Sequence, residues 1–186
     1  IGIHLEGPFF SLDKKGAQPS KYIMDPDIEV MKNIIKLSKG NMKMVSLAPE
    51  TKEALNLIKY LKSENVTVAM AHSNGTYKEA KIGIDYGATV ATHLYNGMRN
   101  FTHREPGIIG ASLTDNRVYC ELICDRIHLH DVAVKIAVKM KGADKIILVS
   151  DAMRAAGLED GDYELGGQKV RVKDGAARLE SGNLAG

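Results

Sequence analysis

Glu6, His72 and His93 offer one carboxylate oxygen and two imidazole nitrogens, the donor set of a catalytic divalent-metal site that keeps a position open for water. Asp151 follows the apolar run Ile146-Ile147-Leu148-Val149-Ser150, so its carboxylate emerges from a rigid support. A carboxylate in that position can accept a proton from metal-activated water and later deliver it to a leaving amine. His128, in Cys124-Asp125-Arg126-Ile127-His128, could polarise a carbonyl or hydrogen-bond a substrate. Each of these residues also has a plainer reading. A lone histidine is often a hydrogen-bonded core or loop residue, Asp151 could cap the turn that follows it, and His130 reads as a loop histidine.

Two polar loops suggest an anionic partner. Asn96-Gly97 closely follows His93 and could turn its backbone amides towards an oxyanion, and Arg104 supplies a guanidinium fork suited to phosphate. Arg104 beside Glu105 could equally be a surface pair, and Asn-Gly is common in turns. Ser73-Asn74-Gly75-Thr76 reads as a helix cap, and no nucleotide-binding glycine pattern is present.

These residues are placed by a repeating pattern of apolar run, polar loop and amphipathic stretch. Ile1-Gly2-Ile3-His4-Leu5-Glu6 reads as the second half of a strand running into a turn, and further strands are expected at 42–48, 66–71, 88–92, 118–124 and 145–150, with helices at 27–38, 51–64, 76–86 and 131–141. A long loop is expected from Gly97 to Gly110, and the run ending at Ser150 is expected to be a core strand. Apolar strands with little alternation argue for parallel strands covered by helices. Glu6, His72, His93, Asp125 and Asp151 each fall at the C-terminal end of a different expected strand, the active-site face of an α/β fold of the (β/α)₈ TIM-barrel type. A doubly wound sheet remains open as an alternative. Too few strands are visible for a whole barrel, so residues 1–186 are expected to be its central and C-terminal part. Barrel strands before Ile1 and any small flanking β domain are expected to lie outside the sequence, whose ends read as those of an internal stretch. Residues 162–173, with Gly166-Gly167 at the centre, read as a β-hairpin excursion without identifiable chemistry.

Composition narrows the classes. The formal charge is +2 and the charged residues are mixed in sign, so the basic stripe that nucleic acid requires is missing. Lys14-Lys15 reads as a solvated turn. No apolar run approaches the roughly 20 residues needed to span a bilayer, and no secretory leader is visible. Cys120 and Cys124 sit in one expected strand, about 13 Å apart by strand rise and too far to bridge. They are expected to be reduced and buried, as in a cytoplasmic enzyme.

His4-Leu5-Glu6-Gly7-Pro8-Phe9, Lys15-Gly16-Ala17, Ala71-His72-Ser73-Asn74, Ala91-Thr92-His93-Leu94-Tyr95-Asn96-Gly97-Met98, Arg104-Glu105-Pro106-Gly107 and Val149-Ser150-Asp151-Ala152 stand in order along the chain. Together they resemble the motifs of the N-acetylglucosamine-6-phosphate deacetylases, a branch of the metal-dependent amidohydrolase superfamily, over essentially the whole sequence. The resemblance implies that Glu6, His72 and His93 bind one divalent metal, zinc or iron. It implies hydrolysis of the acetamide of N-acetyl-D-glucosamine 6-phosphate, with Asp151 as general base and then general acid. It further implies that His128 contacts substrate and can polarise the carbonyl, and that Gln18, Asn96, Gly97 and Arg104 contact the sugar phosphate. Gln18 stands where relatives often carry histidine, and Arg126 where they carry glycine. Relatives are usually homodimers, in which Arg104 can serve the neighbouring subunit's pocket. Many hold a second metal through a His-x-His pair that would precede Ile1. A deaminase or cyclic amidase of the same superfamily, or an inactive metal-stabilised barrel used for binding, are the alternatives.

Overall fold

The computed structural model describes residues 1–186. Six strands, β1 (Ile3–Glu6), β2 (Met42–Leu47), β3 (Thr67–Met70), β4 (Ala88–Ala91), β5 (Tyr119–Leu122) and β6 (Ile146–Leu148), form one parallel sheet in strictly sequential order. A doubly wound sheet would reverse its strand order part-way, whereas sequential order is the arc of a barrel. The arc is bent. β1 and β4 are three strand spacings apart, about 14 Å in a flat sheet. Even so, Glu6 Oε1 at the end of β1 lies 2.9 Å from His93 Nε2 just after β4. The Ser46 hydroxyl on β2 also meets the Thr92 hydroxyl at 2.8 Å, across the width of β3.

The helices cover the outer face. α1 (Ile28–Leu37) starts at Asp27, whose carboxylate accepts from the Glu29 and Val30 amides and so satisfies two of the free N–H groups of the first turn. α2 (Ala54–Ser63) buries Ala54, Leu57, Ile58 and Leu61 at helical spacing. α3 (Tyr77–Tyr86) opens with a reciprocal Thr76/Glu79 capping box, as the sequence signal suggests. α5 (Asp131–Lys141) ends at Gly142.

Four expectations are corrected. α4 (Gly107–Thr114) lies in and beyond the expected loop. Gly107 through Leu113 are all buried, so the segment has no polar face to reveal a helical period, and its two glycines mimic a loop. The strand expected at 145–150 is shorter: β6 covers Ile146–Leu148 at the edge of the six-stranded sheet, with Leu148 73 % exposed. The strand carrying the cysteines ends at Leu122, leaving Cys120 buried and Cys124 exposed, both free. Leu37, which helical spacing with Ile28, Met31, Ile34 and Ile35 would put on the apolar stripe of α1, is exposed at the helix's last residue.

Residues 161–179 form a separate antiparallel sheet of β7 (Gly161–Leu165), β8 (Gln168–Lys173) and β9 (Ala176–Leu179). Its own small core includes Ala155, Val170, Val172 and Ala177. The Gly166-Gly167 turn announces the first two strands; the third follows a second turn at Asp174-Gly175, where both residues have positive φ. The sheet is tied to the barrel arc by the Gln168 side-chain amide, which donates to the Ala17 carbonyl at 2.5 Å.

Asp115, the cap after α4, is the main electrostatic staple of the outer layer. Its buried carboxylate takes Lys81 of α3 and the Arg117 guanidinium, while Lys141 of α5 donates to its carbonyl. The Arg117 hydrogen bonds, helped by Lys81, hold its carboxyl well below the usual carboxylate range against the opposing effect of burial. A depressed folded-state pKa contributes stability above the unfolded value, and that contribution is lost as pH falls through the folded one. Asp115→Asn is therefore expected to lower unfolding free energy by about 2 kcal/mol at neutral pH. In urea titrations the gap to wild type should close as pH drops below about 4.

Candidate metal and catalytic site

The C-terminal ends of the strands bring Glu6, His72 and His93 together. Glu6 Oε1 lies 3.0 Å from His72 Nε2 and 2.9 Å from His93 Nε2, and the three donors lie within 4.8 Å of one another. A tetrahedral cation with N/O bonds of about 2.0–2.1 Å requires ligand–ligand edges of about 3.3 Å, so small outward movements admit an ion between these atoms. His72 Nδ1 faces the Lys14 carbonyl at 2.7 Å, which places the ring proton on Nδ1 and leaves the Nε2 lone pair for a metal. The corresponding His93 Nδ1 is buried without a partner. The two rings meet edge to face at 4.9 Å, and Phe10 packs against His72. Residue types and spacing thus suit a divalent ion.

The electrostatics favour an anionic Glu6. Burial pushes its carboxyl up, but the facing His72 and His93 imidazoles, whose Nε2 atoms donate to it when protonated, prevail and hold it well below the ordinary value. Burial pushes the His93 imidazole down, and its bond to Glu6 reverses this and raises it. Asp151 is raised, first by burial and then by the Glu6 charge, with His93, His128 and His72 opposing.

Glu6, His72, His93, His128 and Asp151 line one cavity of about 560 Å³, within the size range of small-molecule sites. His128 is aimed by Asp125. The aspartate accepts the Ile127 and His128 amides at 2.8 Å and the His128 ring at 2.6 Å, leaving Nε2 as the ring's remaining polar atom. Gln18, Asn96 and Gly97 also line the cavity. The Gln18 amide reaches the Glu6 carbonyl at 3.4 Å. The Asn96 backbone N–H donates to the His93 carbonyl at 3.0 Å, so it closes a turn instead of facing an anion. Gly97 has φ +60°, and a Cβ there would lie 2.6 Å from His72 Nδ1, so glycine is required beside the ring.

Arg104 is exposed and does not line this cavity. Lys14 does, in place of the solvated turn residue expected from the sequence. Sequence reasoning also missed Glu50 and the buried Glu121, whose carboxylate accepts the His93 amide at 3.4 Å. The signal for Glu121 was available: a lone acid inside the apolar run Val118-Tyr119-Cys120-Glu121-Leu122 is costly unless it has a partner. The β7–β8 turn closes one side of the cavity through Leu165 and Gly166, a contact between distant segments that no local pattern encodes.

No family model matches the chain. Along its whole length the chain is similar to N-acetylglucosamine-6-phosphate deacetylases. It is 45 % identical over 186 residues to the one from Lysinibacillus sphaericus, covering 100 % of this chain and 48 % of that protein. It is 41 % identical over 186 residues to the N-acetylgalactosamine-6-phosphate deacetylase of Escherichia coli O157:H7, covering 100 % of this chain and 49 % of that one. Among solved structures it superposes with a TM-score of 0.98 on a mutant N-acetyl-D-glucosamine-6-phosphate deacetylase from Mycobacterium smegmatis in complex with N-acetyl-D-glucosamine-6-phosphate, at 37 % identity, covering 100 % of this chain and 49 % of that one. The chain thus spans about half the length of the curated relatives it matches. No helix is long and apolar enough to cross a membrane.

Proposed function

We propose that this chain is the metal-binding and proton-transferring part of an N-acetylhexosamine-6-phosphate deacetylase, which hydrolyses N-acetyl-D-glucosamine 6-phosphate to D-glucosamine 6-phosphate and acetate. The observation that carries this reading is the convergence of Glu6, His72 and His93 on one point, in a cavity that also holds Asp151 and His128. Similarity to named deacetylases along the whole chain gives that chemistry its substrate class.

Glu6, His72 and His93 would hold one divalent cation, zinc or iron. When bound, such an ion supplies Lewis-acid polarisation and makes a water molecule acidic enough to ionise near neutrality. Asp151 takes the proton of the attacking water and passes it to the amide nitrogen as the C–N bond breaks, so acetate and a free amine leave. His128, oriented by Asp125, presents Nε2 to the substrate, accepting from a sugar hydroxyl when the ring is neutral and donating to the acetamide carbonyl when both ring nitrogens are protonated. Gln18, Asn96 and Gly97 line the sugar-phosphate side.

In the complete protein the exposed edge at β6 is covered by the remaining strands of a metal-dependent hydrolase barrel. The protein works in the cytoplasm as a homodimer, and Arg104, outside its own cavity, reaches a neighbouring subunit's phosphate. A second metal would need ligands beyond this sequence.

A substrate panel tests the assignment. Acetate release by the full-length protein should favour N-acetylglucosamine 6-phosphate over the unphosphorylated sugar by at least about 100-fold in kcat/KM, the value of one or two charge-assisted contacts. N-acetylgalactosamine 6-phosphate belongs in the panel because of the Escherichia coli relative. Equal turnover with and without the phosphate would overturn the sugar-phosphate assignment.

A further inference from the structure

Glu50 belongs to neither the donor set nor the cavity, yet its carboxylate is fully committed. It lies just past β2, lining a separate depression between α2 and α3. Its Oε2 accepts the Ser73 hydroxyl and its Oε1 accepts the Asn74 amide, both at 2.7 Å. Those residues immediately follow His72.

The clamp extends to the second histidine arm. Ser73 is completely buried. Its N–H donates to the Gly97 carbonyl at 3.0 Å, and its carbonyl accepts the Arg99 amide at 2.9 Å. Arg99 Nε donates to the Asn74 carbonyl at 2.6 Å, and the Gly75 amide donates to the Ser73 hydroxyl at 3.0 Å. Gly97 in turn lies against the His72 ring, so moving Ser73 moves both the backbone of His72 and the wall its imidazole leans on.

Such bracing has a physical reason. His72 and His93 occupy positive φ, at 45° and 31°, a region that residues with a Cβ adopt only when their surroundings enforce it. The conformation turns both rings out of the sheet and towards Glu6. On the His72 side the enforcing groups include those that Glu50 holds, beside the Ser11 N–H on the His72 carbonyl and the Lys14 carbonyl on its Nδ1. A water-filled gap in place of the carboxylate would leave the Ser73 hydroxyl and the Asn74 amide to find other partners.

We propose that Glu50 is a positioning residue of the metal site, acting through Ser73 and Asn74 to hold His72 in its ligating geometry. The inference rests on the metal-site reading above, and the test separates the two. In the full-length protein, the zinc dissociation constant is measured by chelator competition, beside the melting temperature of the metal-free form. Glu50→Ala should weaken zinc binding by about 10- to 100-fold, the usual effect of losing a residue that orients a ligand. Glu50→Gln should recover most of the affinity, since its amide oxygen still accepts the Asn74 N–H and its amide group can donate to Ser73. Ser73→Ala, which loses one of the two bonds, should fall between and decides the matter if Glu50→Ala does not fold. Asp115→Asn, destabilising but remote from the loop, should keep zinc affinity within about twofold, so general loosening is not the cause.

Wild-type affinity in Glu50→Ala, or in Ser73→Ala, would overturn the brace while leaving the metal site standing. Equal weakening in Asp115→Asn would also overturn it. A wild-type protein with no zinc affinity would remove the metal-site reading and the brace together.

Discussion

Asp151→Asn in the full-length protein should lower kcat for acetate release from N-acetylglucosamine 6-phosphate by about 1000-fold, within the range that a positioned general acid–base contributes. Asparagine keeps the shape and the hydrogen-bonding reach of the side chain but cannot take the proton. Metal content should be unchanged, because the convergent donors are Glu6, His72 and His93, and KM should move by only a few-fold. The pH profile gives a second readout. Burial and the Glu6 charge favour the protonated form of Asp151, and the basic form grows as pH rises. Activity that needs the carboxylate therefore climbs with pH on its acidic limb, and a cation in the site moves that limb to lower pH. The limb should vanish in the variant. Activity within tenfold of wild type would move the base to another titratable group in the cavity, with His128 the first to examine.

The second large effect concerns the donor set. His93→Ala and Glu6→Gln should each leave the protein with far less than one bound metal and lower acetate release by about 1000-fold or more. Outer partners of a metal ligand cost 10- to 100-fold in affinity when removed, so loss of a ligand itself should exceed that. Glu6 is the more informative position, because one of its oxygens faces both imidazoles. Elemental analysis after gel filtration, with circular dichroism to verify folding, separates metal loss from unfolding. Stoichiometric metal in both variants would place the ion elsewhere.

Much of this arrangement was legible in the sequence because it is local. Apolar strand runs ending in Glu6, His72, His93 and Asp151 need only a short apolar stretch and a polar stop to be seen, and the helix cap at Thr76 marks the start of α3. What escaped had a different physical origin. α4 is buried on every side and so carries no periodicity. β6 is shorter than its apolar run because its partner β5 ends at Leu122, opposite Leu148. The roles of Glu50, Glu121 and Lys14 arise from contacts across sequence distances that only the folded arc closes, such as that between Glu50 and Ser73, 23 positions apart. Arg104 was singled out by its guanidinium and by the family resemblance, and folding leaves it outside the cavity of its own chain.

Metal-dependent deacetylation is tested most directly by the acetate released from N-acetylglucosamine 6-phosphate by the full-length protein, stripped of metal and then titrated with zinc or ferrous iron. Release should be negligible in the stripped protein and should recover as the cavity's one Glu/His site fills, saturating near one equivalent. Turnover in the stripped protein equal to that of the reloaded one, or no turnover at any metal loading, would contradict it.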